Sequence, residues 1–418
     1  MRTAALVAAL SLGVAPVSFG ASAAAPADPV DLGGTPVGQV STDPGNPTEL
    51  RAGLWSDTLG PGETPDATHQ YSYERTGDDT AVHIGVVATA AEVGDHVMVE
   101  SVIGDTTCDT DSSTPSYAFP EAPFGAAITL TGSDAADRNS TCLTARTVTF
   151  TVSRGPSSVG GDLPVAIKIV EEAPLEELDE DLPPSPEEEP GLKLPGTTTP
   201  DDVQGGASFA DAPLLVPGTH RASGPSGETR LFRVSLDWGQ TLAVRLDAAA
   251  MGAAELEATG GFVGPQVELS LLDPMRRVLD THPDGDDSEM LDDVDAIRLS
   301  DAAGPVRYLS RWGSSATYLP GEYWVAVSVE ASDNPVSVDY ELTVAAQGDV
   351  EGAPTYSDQD GFTDPFLVGE DSYSTLASGN PAPQDDEAAS TTRRLAALGL
   401  GLFGLVCCAL GALQLRRR

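Results

Sequence analysis

The sequence is short of positive charge. It has 22 Lys and Arg residues against 64 Asp and Glu, and Lys168 and Lys193 are its only lysines. Six arginines, at positions 2, 393, 394 and 416–418, lie in the two terminal segments, which leaves 16 basic residues against all 64 acids in between. Such a surface repels nucleic acid and anionic lipid and favours cations or basic partners.

Cysteine is also scarce. Cys108 and Cys142 are the only two outside the C-terminal apolar run. In an exported chain an isolated pair of this kind predicts a disulfide, which excludes a free catalytic thiol at either position. Cys407 and Cys408 lie within the apolar run and are interpreted as small apolar side chains.

Long apolar runs occur only at the two ends. Residues 1–25 begin with a basic residue, continue with an apolar stretch and end in small residues, which predicts a secretory signal peptide. Residues 395–415 carry no charge and are long enough for a transmembrane helix. Arg416, Arg417 and Arg418 follow as a stop-transfer tail on the cytoplasmic side.

These ends predict a single-pass cell-membrane protein. The N-terminal ectodomain would lie outside the cell, and the short tail at 416–418 would lie inside it. The helix would provide the contact with the membrane. Its small residues would permit weak self-association of two such helices; they are Ala397, Gly401, Gly404 and Cys408.

Acidic, proline-rich segments divide the ectodomain. Residues 173–203 are interpreted as a linker and residues 347–392 as a disordered stalk, because neither carries enough apolar residues to bury a core. Two domains of ordinary size remain, at 45–172 and 204–346.

The two predicted domains repeat each other in sequence. Gly53 and Gly62 have the same spacing as Gly218 and Gly227. Near the ends of the blocks, residues 161–169 match residues 321–329. Several matches in the same order indicate a duplication.

The local pattern predicts strands. Apolar residues alternate with others at Val82, Ile84 and Val86, and again at Val148 and Phe150. Gly, Pro and Asp punctuate these runs. The predicted fold class is therefore all-β, with two antiparallel β-sandwich, jelly-roll-like domains.

The second block resembles the bacterial pre-peptidase C-terminal type of β-sandwich domain. The resemblance rests on the turn at Gly218, on Gly227-Glu228-Thr229, and on the strand patterns at 321–327 and 340–344. It covers about 205–346, and it covers about 48–172 less well because no final Tyr-x-Leu-x-Val strand is evident there. The arrangement also resembles tandem modules of actinobacterial surface proteins. The resemblance implies non-catalytic accessory modules with no active-site residues.

The sequence carries no hydrolase or zinc-enzyme motif. G-x-S-x-G and H-E-x-x-H are both absent, and the histidines are scattered at positions 69, 83, 96, 220 and 282. His83 occupies a polar position of an alternating strand and is predicted to be exposed. Trp324 begins an apolar strand and is predicted to lie in the core. The chain is therefore predicted not to be an enzyme.

Calcium is the one ligand that the sequence suggests, because clustered carboxylates suit a hard cation. The candidate cluster consists of Asp284, Asp286, Asp287, Glu289, Asp292, Asp293 and Asp295. A second acidic group lies at 358–364. Neither group matches the full calcium-loop pattern, and the alternative for both is a solvated acidic loop.

The predicted function is a non-enzymatic cell-surface interaction or envelope-organising protein. It would display two sandwich modules to an envelope or surface protein partner, and it would need no cofactor apart from calcium. The alternative is a calcium-dependent or glycan-binding adhesion module. Nucleic acid is excluded as a partner by the charge.

Overall fold

The computed structural model describes residues 29–89, 94–134, 137, 139–158, 160–176, 182–186, 194, 199–259, 263–279, 288–292, 294–313, 317–332, 334–357 and 367–368. The chain is all-β, which confirms the predicted class.

The described residues of the first half form ten strands. They are β1 (Thr35–Pro36), β2 (Thr48–Leu50), β3 (Gly53–Leu59), β4 (Thr68–Glu74), β5 (Ala81–Thr89), β6 (Val97–Ile103), β7 (Thr106–Ser113), β8 (Pro123–Leu130), β9 (Thr147–Arg154) and β10 (Leu163–Glu172).

The second half continues the series. Its strands are β11 (Asp201–Asp202), β12 (Gly218–Pro225), β13 (Thr229–Leu236), β14 (Thr241–Ala248), β15 (Gln266–Leu272), β16 (Val278–Leu279), β17 (Ser288–Met290), β18 (Ile297–Ala303), β19 (Gly321–Val329), β20 (Ser337–Gln347) and β21 (Leu367–Val368). The helical elements are short: α1 (Thr141–Thr144), α2 (Ala253–Thr259) and 3₁₀ turns at Pro65–Ala67 and Tyr308–Trp312.

The strands form four sheets, two from each half. Sheet I has the order β1-β3-β10-β5-β8, with β21 added beside β10, and sheet II has the order β2-β4-β9-β6-β7. Sheet III has the order β11-β12-β20-β14-β18, and sheet IV has the order β13-β19-β15-β16, with β17 beside β15. Sheets I and III each begin with a short strand that runs parallel to its neighbour.

The strand order corrects one part of the predicted repeat. The sequence matched 161–169 in β10 with 321–329 in β19. In the structure β10 lies between β3 and β5, whereas β19 lies between β13 and β15. The counterpart of β10 by position is β20, which lies between β12 and β14. Both β10 and β19 are inner strands with several buried Val or Ile residues, and that shared environment explains the misleading match.

Burial follows the sequence pattern strand by strand. In β9 the alternating residues Val148, Phe150 and Val152 are buried, and the Thr residues between them are less so. In β5 every residue is buried, because sheet I is covered on both faces.

Two hydrophobic cores result. One lies between sheets I and II and includes Tyr71, Ile84 and Phe150. The other extends from the interior of sheets III and IV to Leu54 and Ala166 of sheet I, so a single apolar cluster joins the two halves.

Parts of the segments predicted as linker and stalk belong to the fold, which differs from that expectation. Leu175 and Leu182 of the predicted linker are buried, as is Tyr356 of the predicted stalk. Leu175 pairs with Tyr356 in an isolated antiparallel bridge, and β21 pairs with β10. Average composition misses such segments because a few apolar residues are enough to fix a short stretch of chain against a core.

Within the described ranges no helix is long and apolar enough to cross a membrane. The predicted signal peptide at 1–25, the predicted membrane helix at 395–415 and Arg416, Arg417 and Arg418 lie outside those ranges.

Candidate functional site

The candidate site is the contact between the two halves, which we call the seam. On one side is the outer face of sheet I, which is the face turned away from sheet II. On the other side are the turn at 273–277, between β15 and β16, and the 3₁₀ turn at Tyr308–Trp312 of the second half.

Two glycines let the backbones meet. A Cβ atom at Gly85 would overlap the carbonyl oxygen of Met275, and one at Gly125 would overlap that of Arg276. Only residues without a side chain permit this approach of the 273–277 turn to strands β5 and β8.

Glu172, at the end of β10, contacts three polar side chains at the seam. Its carboxylate accepts hydrogen bonds from Arg311 Nη1 at 2.6 Å and from Tyr356 Oη at 2.6 Å, and it lies 2.9 Å from His83 Nε2. Burial alone would raise the pKa of Glu172, but the charge of Arg311 and the hydrogen bond with His83 hold it well below its usual range. The carboxylate is therefore ionised although it is fully buried.

Arg311 completes a buried ion pair that joins the halves. Its guanidinium carbon lies 3.7 Å from the ring centre of Tyr308, and the rings of Trp312 and Tyr318 lie within 6 Å of it. Burial alone would lower the pKa of Arg311, but Glu172 beside it raises that pKa. The aromatic faces stabilise the cation where water cannot reach it.

A second set of hydrogen bonds runs alongside this ion pair. Thr129 Oγ1 lies 3.0 Å from His83 Nδ1 and 2.9 Å from Tyr318 Oη. Each of these groups can donate or accept, so His83, Thr129 and Tyr318 form one hydrogen-bonded chain. This chain also crosses the seam.

Lys168 is a buried cation whose charged form is disfavoured. It lies on the outer face of sheet I, is fully buried, and donates from Nζ to the carbonyl oxygen of Pro274 at 2.8 Å. Burial, and then the neighbouring charge of Arg276, lower the pKa of Lys168 to about 7. Near neutral pH a substantial fraction of the Lys168 side chains is therefore deprotonated.

Arg276 is also held at the seam. Its guanidinium carbon lies 4.0 Å from the ring centre of Phe209, and Nη1 donates to the carbonyl oxygen of Leu32 at 2.6 Å. Burial lowers the pKa of Arg276 to about 9. The contact with Leu32 connects the N-terminal segment to the second half.

The geometry of the seam suits rigid coupling. Its charged side chains are buried and engaged with each other or with backbone carbonyls, so they offer no open position to a substrate. Removing any one partner would leave another charge buried, which is costly. The halves are thus held in a defined relative orientation.

A different polar group lies beside a surface groove of about 420 Å³ near Pro29 and Thr58. His69 Nδ1 donates to Asp57 Oδ2 at 2.6 Å, and the Tyr71 hydroxyl donates to the same carboxylate. Burial would raise the pKa of Asp57, but these hydrogen bonds lower it. Tyr71 Oη also lies 3.5 Å from His69 Nδ1, so the three side chains form one hydrogen-bonded group.

The structure confirms the predicted disulfide and leaves the predicted calcium site untested. The Cys108–Cys142 disulfide is present and joins β7 to α1, which confirms that prediction. Glu289, Asp292 and Asp295 lie within the described ranges, and no group of three or more His, Cys, Asp or Glu residues there is placed to hold a metal ion. Asp284, Asp286, Asp287 and Asp293 lie outside those ranges, so the calcium site stays a prediction.

The structure corrects the prediction for His83 and bears out the one for Trp324. His83 is fully buried, because the polar face of β5 meets the second half rather than water. Trp324 is buried, as expected. The roles of Glu172 and Arg311 were not predicted from the sequence. The available signal was that charged residues, Lys168, Glu171 and Glu172, interrupt and end the otherwise apolar strand β10.

Burial at the seam and local ion pairs leave little unpaired positive charge among the described residues. Of the described basic side chains, ten form ion pairs with carboxylates, and Arg75, Lys168 and Arg276 are buried. Arg51 is the one described basic residue that is exposed and has no ion pair. Carboxylates such as Glu49 and Asp105 remain exposed, so the free charge of the described surface is almost entirely negative.

No protein-family model matches the sequence, and no curated protein matches it.

Solved structures show only distant similarity. The ANX2 ectodomain from Arabidopsis thaliana has a TM-score of 0.18 and 8% identity, over 71% of this chain and 86% of that one. The CUB1-EGF-CUB2 domains of rat MASP-1 have a TM-score of 0.18 and 8% identity, over 71% of this chain and all (100%) of that one. A CBM22 tandem domain from Paenibacillus barcinonensis Xyn10C has a TM-score of 0.20 and 11% identity, over 71% and 92%. At such values the similarity carries no conclusion about fold or function.

Proposed function

We propose that this protein is a non-enzymatic cell-surface protein that holds two β-sandwich modules as one rigid body and binds a positively charged protein partner. The modules would be of the pre-peptidase C-terminal type. A secretory signal at 1–25 and a membrane helix at 395–415 would place them outside the cell on a single anchor. The partner would be a component of the envelope or of another surface protein.

The observation that carries this proposal is the distribution of charge. All described basic residues except Arg51 are paired or buried, and several of them hold the two halves together, while unpaired carboxylates remain at the surface. A rigid anionic body attracts basic partners over a distance and gives specificity through the arrangement of its charges.

Capture of the full-length protein from its own cells tests the proposal. The tagged protein is crosslinked and captured in parallel with calcium, with chelator, and at low and high salt. We expect one stoichiometric protein partner with an excess of Lys and Arg, retained in chelator and reduced at high salt because screening weakens surface attraction. Recovery of wall material alone, or loss of binding in chelator, would instead favour the calcium-dependent or glycan-binding adhesion module.

A further inference from the structure

Three apolar side chains lie exposed together at one end of the second half. Val263 is 49% exposed, Met290 is 55% exposed and Val294 is 74% exposed. We call these three residues the apolar patch. Clustered apolar side chains at a surface mark an interaction site more often than single ones do.

Backbone contacts show that the segments carrying the patch are adjacent. Gly264 N donates to the carbonyl oxygen of Leu291 at 2.8 Å, and Met290 stands opposite Gln266 in the β15–β17 pair. Val263 and Met290 are therefore close along the backbone, because each directly precedes one residue of the hydrogen-bonded pair Gly264 and Leu291. Val294 lies two residues beyond Asp292, whose carbonyl oxygen accepts from Met251 N at 2.8 Å.

Buried contacts and hydrogen bonds hold the backbone of the patch in place. Leu291, between the two exposed segments, is fully buried, and a Cβ atom at Gly264 would meet Met251 Sδ at 2.6 Å. Asp292 Oδ1 accepts from Val294 N at 2.9 Å and from Asp295 N at 2.8 Å, which fixes the turn that carries Val294. Such a preorganised surface loses little entropy on binding.

The sequence around the patch is predominantly acidic, and the nearby cation Arg298 is paired with Asp247. No Lys or Arg occurs from 278 to 297, whereas eight Asp and Glu residues do. Among the described ones, Glu289 and Asp295 are exposed, and no ion pair involves either of them. The hydrogen bonds from Asp295 N and Val294 N lower the pKa of Asp292, so its carboxylate stays ionised.

We infer that the apolar patch is a docking surface for a cationic amphipathic segment of the partner protein. Apolar side chains of that segment would contact Val263, Met290 and Val294, and its Lys or Arg side chains would meet Glu289, Asp292 and Asp295. This inference rests on the proposed function and specifies where its partner binds.

Binding of a synthetic peptide to the full-length protein in detergent micelles tests the inference. The probe is a labelled amphipathic peptide of Leu and Lys, and its control is a scrambled peptide of the same composition with no apolar face. We expect the amphipathic peptide to bind more tightly than the scrambled one at physiological salt, with calcium and with chelator alike. The variant Met290→Ser/Val294→Ser should weaken its binding by about tenfold or more, as for the central residues of an interface.

Asp349 and Val350 provide matched controls, since they are of the same residue types as Asp295 and Val294. They lie beside Gly239, just before β14, whereas the patch segments contact Met251, just after β14. Val350 is 60% exposed, so Val350→Ser and Asp349→Asn should leave binding within about twofold, as is usual for residues outside an interface. Asp295→Asn should weaken binding and reduce its dependence on salt. Val263→Ser serves as a second patch variant if the double variant fails to fold.

Several results would overturn the inference. These are unchanged binding by the patch variants, equal binding of both peptides, a requirement for calcium, or concentration-dependent self-association that Met290→Ser/Val294→Ser abolishes. The cell capture separates this failure from failure of the proposed function. A basic partner still captured by the double variant would contradict the patch alone, whereas no partner with either protein would contradict the function.

Discussion

At the scale of single residues, the main feature is the burial of charged side chains. Glu172 and Arg311 compensate each other directly, whereas Lys168 has a backbone carbonyl as its hydrogen-bond acceptor. Burial and the charge of Arg276 lower the pKa of Lys168 more than Asp273 and Glu322 raise it, so its charged form opposes folding and the two sites should respond to substitution in opposite directions.

Replacing Lys168 by Met should stabilise the protein. The ordinary pKa of 10.5 applies in the unfolded chain, and the pKa is lowered to about 7 in the folded one. Between these values the unfolded chain binds the extra proton, so stability rises with pH across this window and the cost is complete below it. Lys168→Met should therefore raise the free energy of unfolding by about 1–4 kcal/mol at or below neutral pH, and by less toward pH 10.5.

Urea unfolding of Lys168→Met and of the parent protein across that pH range is the measurement. Arg51→Met is the control, because Arg51 is exposed and outside any ion pair of the described residues. A Met variant that is less stable than the parent at neutral pH would contradict this account of Lys168.

Replacing Arg311 by Met should have the opposite effect. Glu172 would keep its buried charge without its main partner, at a cost of about 3–5 kcal/mol. The double variant Glu172→Gln/Arg311→Met should recover part of that loss, because the uncompensated charge is then gone as well. A double-mutant cycle from denaturant unfolding measures the coupling, and additive losses would show that the pair does not act as a unit.

The role of a single residue could be predicted only where the sequence itself identified its partner. Cys108 and Cys142 had one plausible partner each. His83 and Glu172 did not, because a polar residue on a strand has the same pattern whether it faces water or a second set of sheets. The burial of His83 therefore became known only with the tertiary contact.

At the scale of secondary-structure elements, β7 protects the free edge of β8. Asp111 Oδ2 accepts from Ala127 N at 2.9 Å, and Asp109 Oδ2 accepts from Thr129 N at 2.8 Å. These carboxylates satisfy backbone donors that would otherwise be open to pairing with another chain. The disulfide at Cys108 attaches the same strand to α1.

Replacing Asp111 by Ala should expose this edge. We expect a loss of about 1–3 kcal/mol, the cost of leaving a buried donor without an acceptor, and faster hydrogen exchange at the amide of Ala127. Asp111→Asn should lose less, because the amide oxygen can still accept.

Hydrogen exchange followed by mass spectrometry, together with urea unfolding, is the measurement. Asp105→Ala, in the exposed turn between β6 and β7, is the matched control. Unchanged protection of Ala127 in Asp111→Ala would show that the carboxylate is not needed at this edge.

At the scale of the whole molecule, the seam makes one body of two halves. The apolar cluster of the second half continues onto sheet I, and the ion pair and glycine contacts lie within the same boundary. We therefore expect both halves to unfold in a single transition, since separating them would expose apolar surface and buried charge together.

Replacing Gly85 by Ala should disrupt this coupling. The added methyl group would overlap the backbone of the 273–277 turn, so we expect a loss of about 3 kcal/mol or more and a split into two transitions. Differential scanning calorimetry distinguishes one transition from two. Gly38→Ala is the control, because a Cβ atom there meets nothing within 4 Å. Two independent transitions in the parent protein would contradict the rigid body itself.

The sequence by itself determined the all-β class, most strand positions, the disulfide and the excess of negative charge. Each of these depends on local alternation, composition or a unique pair of residues. Only the tertiary structure decided that the two halves are joined, that β20 rather than β19 is the counterpart of β10, and that parts of the segments at 173–203 and 347–392 pack on the fold. The physical reason is that a strand specifies which of its faces is apolar, whereas the element that covers the other face is chosen by contacts between residues far apart in the chain.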